Sequence, residues 1–135
     1  MSKQFEEKEL STVLKPLEAE AEVLLREKDQ MEKYLEELEI KFASIAGIGG
    51  TLAEIPVMIS LVRAYIKGDY RVIPMASLIA IVAGLIYFMS PVDLIPDTIP
   101  VAGYLDDAAV IGFVLEAVKF DLEYYKKWKE EFYKS

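Results

Sequence analysis

Four aspartates lie in one short proline-rich segment, "SPVDLIPDTIPVAGYLDD", at residues 90–107. Carboxylate oxygens, waters and backbone carbonyls are the ligands that Ca²⁺ and Mg²⁺ prefer in proteins. A Ca²⁺ or Mg²⁺ site is therefore one hypothesis for this segment, although the spacing matches no EF-hand loop. The aspartates of this hypothesis are Asp93, Asp97, Asp106 and Asp107.

Paired carboxylates could also divide the acid and base roles of a small hydrolase. The chain offers no phosphate-binding loop to support that chemistry. It also contains no histidine and no cysteine, which excludes Ser-His-Asp catalysis, a thiolate nucleophile and ordinary zinc sites. The sequence therefore favours a protein that is not an enzyme, with no cofactor other than the divalent cation of the first hypothesis.

Backbone structure alone offers a second explanation for the segment. A serine followed by proline is typical of the start of a helical turn, and later prolines end that turn and hold the chain extended. A glycine then permits a reversal, and the last two aspartates would meet the positive end of the next helix dipole. The residues of this structural motif are Ser90, Pro91, Pro96, Pro100 and Gly103. Helix capping and cation binding both remain open at this stage.

Charge is divided unevenly along the 135 residues. The net charge is −8, with −5 in residues 1–46, +1 in residues 47–90 and −4 in residues 91–135. An acidic chain argues against nucleic acid as a partner and against purely electrostatic docking on an anionic membrane. The first twenty residues contain no apolar stretch like that of a signal peptide. The predicted location is the cytoplasm, with the cytoplasmic membrane as the alternative.

Residues 1–46 are predicted to form an acidic amphipathic helix with a heptad repeat, and Pro16 is placed in the first turn of its main part. The apolar face of this repeat would serve self-association or a protein partner through residues 10–45. Alternatively, the helix would fold back on its own domain. The repeat consists of Leu10, Leu14, Leu17, Ala21, Leu24, Lys28, Met31, Leu35, Leu38, Phe42 and Ile45.

Residues 47–135 are predicted to form a core of about three helices, which makes the fold class all-α. The second helix starts near Thr51 or near Pro56 and ends at Gly68, and Pro74 begins the third. The last helix runs from about residue 104 towards 133. The proline- and aspartate-rich segment of residues 90–107, which we call the acidic elbow, joins it to the third helix.

The third helix carries no charge from Val72 to Met89, a run of 18 residues. A membrane contact or span through 72–89 is one interpretation, since 18 residues meet the lower limit for a span. A central helix buried by the others is the alternative.

The segment from Tyr65 to Trp128 resembles the bacterial YkvA family, also called the domain of unknown function DUF1232. The resemblance rests on the signature from Ser90 to Asp107, on Tyr65, Gly68 and Tyr70, and on the pair Tyr125 and Trp128. It implies a small helical protein without an agreed activity, and it favours membrane association. The acidic helix of residues 1–46 lies outside the similarity.

Overall fold

A computed structural model describes residues 2–44, 53–89 and 107–134, which form six α-helices. Those three ranges contain no strand, so the predicted all-α class is confirmed. The helices are Ser2–Arg26 (α1), Lys28–Ser44 (α2), Ile55–Lys67 (α3), Met75–Met89 (α4), Asp107–Ala117 (α5) and Lys119–Lys134 (α6).

The first third of the chain forms two helices, whereas the heptad pattern predicted one. Glu27 separates them, and its amide donates to the Leu24 carbonyl at 3.0 Å. An i→i−3 bond of this kind tightens the backbone, and the Met31 amide then restores the α pattern by donating to the Glu27 carbonyl at 2.8 Å. As a result, α1 packs on α4 and α2 packs on α3.

Pro16 lies inside α1, so its predicted place in a first helical turn is wrong. Proline has no amide hydrogen, which removes one backbone hydrogen bond from the helix at this point. Leu14 and Leu17, on either side of it, are buried in the core. Their packing outweighs the local preference of proline, as tertiary contacts often do.

The heptad stripe packs against the rest of the same chain. Leu24 and Phe42 are half-buried against the core, Lys28 is exposed, and Ile45 lies outside the described residues. The fully buried positions are Leu14, Leu17, Ala21, Met31, Leu35 and Leu38. Residues from both predicted segments, 1–46 and 47–135, therefore share one hydrophobic core. Self-association through residues 10–45 stays a prediction.

Helix α3 begins and ends at residues with special backbone properties. Pro56 is its second residue, which agrees with the start at proline rather than at Thr51. Gly68 ends the helix with φ of +87°, and its amide donates to the Tyr65 carbonyl at 3.0 Å. Positive φ values of this size are favourable only for glycine, so the predicted stop at Gly68 is confirmed.

Helix α4 is the centre of the bundle and contacts α1, α2, α3 and α5. It follows Pro74, whose carbonyl accepts a hydrogen bond from the Leu78 amide at 3.1 Å. Every residue from Ile81 to Phe88 is buried, whereas Met75, at the start, is exposed. The interpretation of this segment as a buried central helix therefore describes the structure.

The last predicted helix is interrupted at Val118, between α5 and α6. The interruption is slight, because the Val118 amide donates to the Val114 carbonyl and the Leu122 amide donates to the Val118 carbonyl, each at 3.0 Å. Helix α6 packs on α3 and α5. Helix α5 packs on α4 and α1.

Replacing Gly68 should test how far the α3 stop depends on its backbone conformation. Nothing lies within 4 Å of a Cβ added there, so any effect comes from φ rather than from a steric clash. We expect Gly68→Ala to cost about 1–2 kcal/mol, roughly 3–8 °C in Tm for a domain of this size. Gly68→Asn should lose less than half of that, because asparagine tolerates the left-handed region. Equal melting temperatures for both variants and the wild type, measured by circular dichroism, would contradict this account.

Candidate functional site

The acidic elbow joins two helices that are packed tightly against each other. A Cβ added to Gly84 of α4 would lie 3.1 Å from Val114 Cγ2 and 3.6 Å from Ile111 Cδ1 of α5. Gly84 is five residues before the end of α4, and Ile111 is four residues after the start of α5. At 1.5 Å per residue, Met89 and Asp107 each lie within about 8 Å, along their helices, of this contact. The elbow therefore begins and ends in one region of the bundle.

Lys41 of α2 caps the end of α4 next to the elbow. Its Nζ donates to the Phe88 carbonyl at 2.5 Å and to the Met89 carbonyl at 3.0 Å. It also lies 4.9 Å from the centre of the Phe88 ring. The last carbonyls of a helix have no partner within it and carry the negative end of the dipole, so an ammonium group is favourable here. Lys41 thus holds Met89, the last residue of α4, which directly precedes the elbow.

Most of the elbow lies outside the described residues. This applies to Asp93, Asp97 and Asp106 of the cation hypothesis. It also applies to the structural motif of Ser90, Pro91, Pro96, Pro100 and Gly103. Asp107 is the first residue of α5. No group of three or more acidic, histidine or cysteine side chains that could hold a metal occurs among the described residues. Both hypotheses for the segment therefore stay predictions.

Two shallow clefts lie on the described surface. The first, of about 280 Å³, is lined by residues of α5 and α6 and by Glu54, which forms a 2.9 Å ion pair with Lys126. The second, of about 250 Å³, lies where α1 meets α3 and α4, and its lining includes Arg26, Tyr65 and Ile79. Arg71 lies over the Tyr65 ring at 4.3 Å. Both clefts combine apolar residues with charges of both signs.

A hydroxyl network connects α3 to α6. Ser60 Oγ and the Tyr125 hydroxyl are 2.5 Å apart, and Lys129 Nζ donates to Ser60 Oγ at 3.0 Å. Serine and lysine at this distance are the groups of a Ser–Lys catalytic pair. Neither residue lines either of the two clefts, however. The network is better explained as a polar contact that orients α6 on the buried face of α3.

Tyr70 lies at the centre of an aromatic cluster that the sequence did not predict as a unit. Its ring centre is 5.0 Å from that of Tyr125 and 4.9 Å from that of Trp128. Burial, followed by the neighbouring Tyr124 and Asp121, raises the pKa of Tyr70 to about 12. Tyr70 is therefore neutral at physiological pH. The spacing of Tyr125 and Trp128, three residues apart on one predicted helix, makes them neighbours, but nothing in the sequence indicates that Tyr70 meets them.

An ion pair connects α2 to α3 on the surface. Arg63 donates through both terminal nitrogens to the two oxygens of Glu39, at 2.8 and 2.9 Å. These hydrogen bonds hold the pKa of Glu39 below its ordinary value. The geometry is the two-point pairing that arginine favours with carboxylates. Because Glu39 is largely exposed, the pair orients the two helices more than it stabilises them.

Comparison with known proteins places the chain in a family. The family described as "Protein of unknown function (DUF1232)" matches residues 77–113, a range that runs from α4 through the elbow into α5. The "Uncharacterized membrane protein YkvA" of Bacillus subtilis (strain 168) is 33% identical over 78 residues, which cover 58% of this chain and 74% of that protein. The chain belongs to the DUF1232 family, as its sequence motifs indicated. No solved structure matches it.

The cap formed by Lys41 is open to a direct test. Lys41→Met keeps the apolar stem but removes the ammonium group that two α4 carbonyls accept from. We expect it to lower the free energy of unfolding by about 1–2 kcal/mol, measured by urea denaturation. Lys33→Met, at an exposed position of the same helix, serves as the control and should change stability by less than about 0.5 kcal/mol. Equal losses in the two variants would show that the cap contributes nothing specific.

Proposed function

We propose that this chain is a non-enzymatic helical module that associates with a membrane while its most apolar helix stays inside the bundle. The name of the B. subtilis relative supports the membrane part of this proposal. The burial of α4 supports the second part. The process that the module serves is not implied by either observation.

The burial of α4 carries the proposal. Its 15 residues give about 22 Å of helix, shorter than the hydrocarbon core of about 30 Å. Throughout residues 2–44, 53–89 and 107–134, no helix has both the length and the hydrophobicity that crossing a bilayer demands. Releasing α4 into lipid would also remove it from α1, α2, α3 and α5. Membrane contact within residues 72–89 would then fall to Val72 and Met75, which are exposed.

Fractionation of cells that produce the full chain tests this mode of association. We expect the protein to sediment with membranes in low-salt buffer. Most of it should then be released by alkaline carbonate without detergent, because no helix has to leave the bilayer. An established integral protein of the same membrane should stay in the pellet. Release only by detergent would contradict the proposal, and so would complete absence from the membrane fraction.

A second candidate function is divalent-cation binding by the elbow, as the four aspartates suggest. The packing of α4 on α5 favours it, since Met89 and Asp107, which flank the 17-residue segment 90–106, lie in one region of the bundle. Ca²⁺ or Mg²⁺ bound by Asp93, Asp97, Asp106 and Asp107 would then regulate the protein by changing the conformation of the elbow. The structural alternative is that these aspartates cap helices and bind nothing.

A thermal melt in EDTA, and then in millimolar Ca²⁺ or Mg²⁺, separates these alternatives. A cation at a hundred times its Kd should stabilise the folded state by about 2.7 kcal/mol, a rise of several degrees in Tm. Asp93→Asn should abolish the rise, whereas Asp69→Asn, at an exposed aspartate outside the elbow, should not. If neither ion changes Tm, or if both variants keep the rise, the cation hypothesis is wrong.

A further inference from the structure

Helix α6 carries four aromatic residues at intervals of four, namely Phe120, Tyr124, Trp128 and Phe132. Each step of four residues advances about 40° around an α-helix, so these side chains form one stripe that is about 18 Å long and winds about a third of a turn. We refer to them as the aromatic stripe. Phe120 is 77% exposed, Tyr124 is 60% exposed and Phe132 is 48% exposed. Trp128 is half-buried against the core that Leu122 and Tyr125 of the same helix help to form, so three of the four rings are exposed.

Contacts with other aromatic rings hold three of the four rings of the stripe in place. Trp128 and Phe132 stack with ring centres 4.9 Å apart, and Trp128 lies 4.9 Å from Tyr70. Tyr70 also lies 6.5 Å from Tyr124. Tyr124 and Trp128 thus lie against a buried ring of the α3–α4 connector, residues 68–74, and Phe132 lies against Trp128. A fixed surface of this kind binds with little loss of side-chain entropy.

Basic side chains flank the exposed rings. Lys119 lies 5.5 Å from the centre of the Phe120 ring, and Lys127 is exposed one residue before Trp128. Arg71 lies elsewhere, over the Tyr65 ring that lines the second cleft. Acidic residues share the face with the lysines: Glu116 and Glu123, four residues before and three residues after Phe120, are exposed. Asp121 is engaged by Ser77, which donates to it at 2.6 Å. Aromatic rings beside lysine and arginine are typical of surfaces that lie at a membrane–water interface.

We infer that the aromatic stripe, together with Lys119 and Lys127, is the surface through which the protein binds an anionic phospholipid bilayer. This inference rests on the proposed membrane association and names the face that performs it. Phe120 and Tyr124 enter the interfacial region, where their apolar rings leave water. Lys119 and Lys127 meet the headgroup phosphates, and the rings supply the apolar part of the contact. The helix lies along the membrane surface and does not cross it.

Vesicle flotation with the full chain tests the inference. The vesicles contain phosphatidylcholine with about one-third phosphatidylglycerol, which gives the anionic surface that basic residues require. The double variant F120S/Y124S removes the two most exposed rings of the stripe. The matched control, V23S/I40S, removes apolar residues that are 56% and 70% exposed on α1 and α2. Because all four positions are exposed, both variants should keep the melting temperature of the wild type within a few degrees.

We expect the stripe variant to partition onto the vesicles on the order of tenfold less than the wild type, and the control to match the wild type within about twofold. The charge variant K119Q/K127Q should lose binding to the anionic vesicles and should not differ from the wild type on pure phosphatidylcholine. The chain's one tryptophan, Trp128, is a second readout. Its fluorescence should shift to shorter wavelength when vesicles are added.

Three results would overturn the inference. If the wild type floats and F120S/Y124S floats equally well, another surface binds lipid, and the proposed membrane association stands without this one. If the wild type does not float but fractionates with cell membranes, the association depends on a protein partner. If the stripe variant converts a dimer of the wild type into a monomer in light scattering without changing flotation, the stripe binds a second copy of the chain.

Discussion

The burial of α4 is the constraint on which the rest of the bundle depends. A helix with an uncharged and almost wholly apolar sequence has no solvent-facing side to offer, so it must be covered on several faces at once. Four neighbouring helices contact it. Most of the apolar side chains of α1 and α2 pack into the same hydrophobic core as α4. The close approach at Gly84 shows how tightly α5 completes the cover. The heptad positions of α1 and α2, which would suit a coiled coil in another protein, therefore pack inside this one.

A buried helix still has backbone N–H groups at its start and carbonyl groups at its end that lack partners within the helix. In α4 the two ends are stabilised in different ways. At its start, Pro74 precedes the first turn and has no amide to leave unpaired. At its end, the free carbonyls accept hydrogen bonds from Lys41. The family match covers this end of α4, the elbow and the start of α5. Lys41 lies outside residues 77–113, yet it holds the end of α4 from which the elbow of that matched segment continues.

The sequence predicted those features that depend on local backbone chemistry or on periodicity. The stop at Gly68, the start of α4 after Pro74 and the apolar stripe of α1 and α2 are of this kind. It missed the interruption at Glu27, although the one polar residue of the stripe, Lys28, stands next to it. It could not predict the cap by Lys41 or the meeting of Ser60 with Tyr125, because 47 and 65 residues separate these partners and only the packed fold brings them together.

The net charge of −8 bears on how such a bundle could approach an anionic membrane. At long range the chain as a whole is repelled, but charges are screened within about 10 Å at moderate salt, so local composition decides the contact. Of the 23 acidic residues, 12 lie in residues 1–46, which α1 and α2 hold against α4 and α3. Helix α6 packs on α3 and α5 instead, and it carries five lysines against four acidic residues. Its local charge is thus close to balanced, whereas α1 and α2 are acidic. An orientation in which α6 faces the bilayer keeps the most acidic helices away from the headgroups.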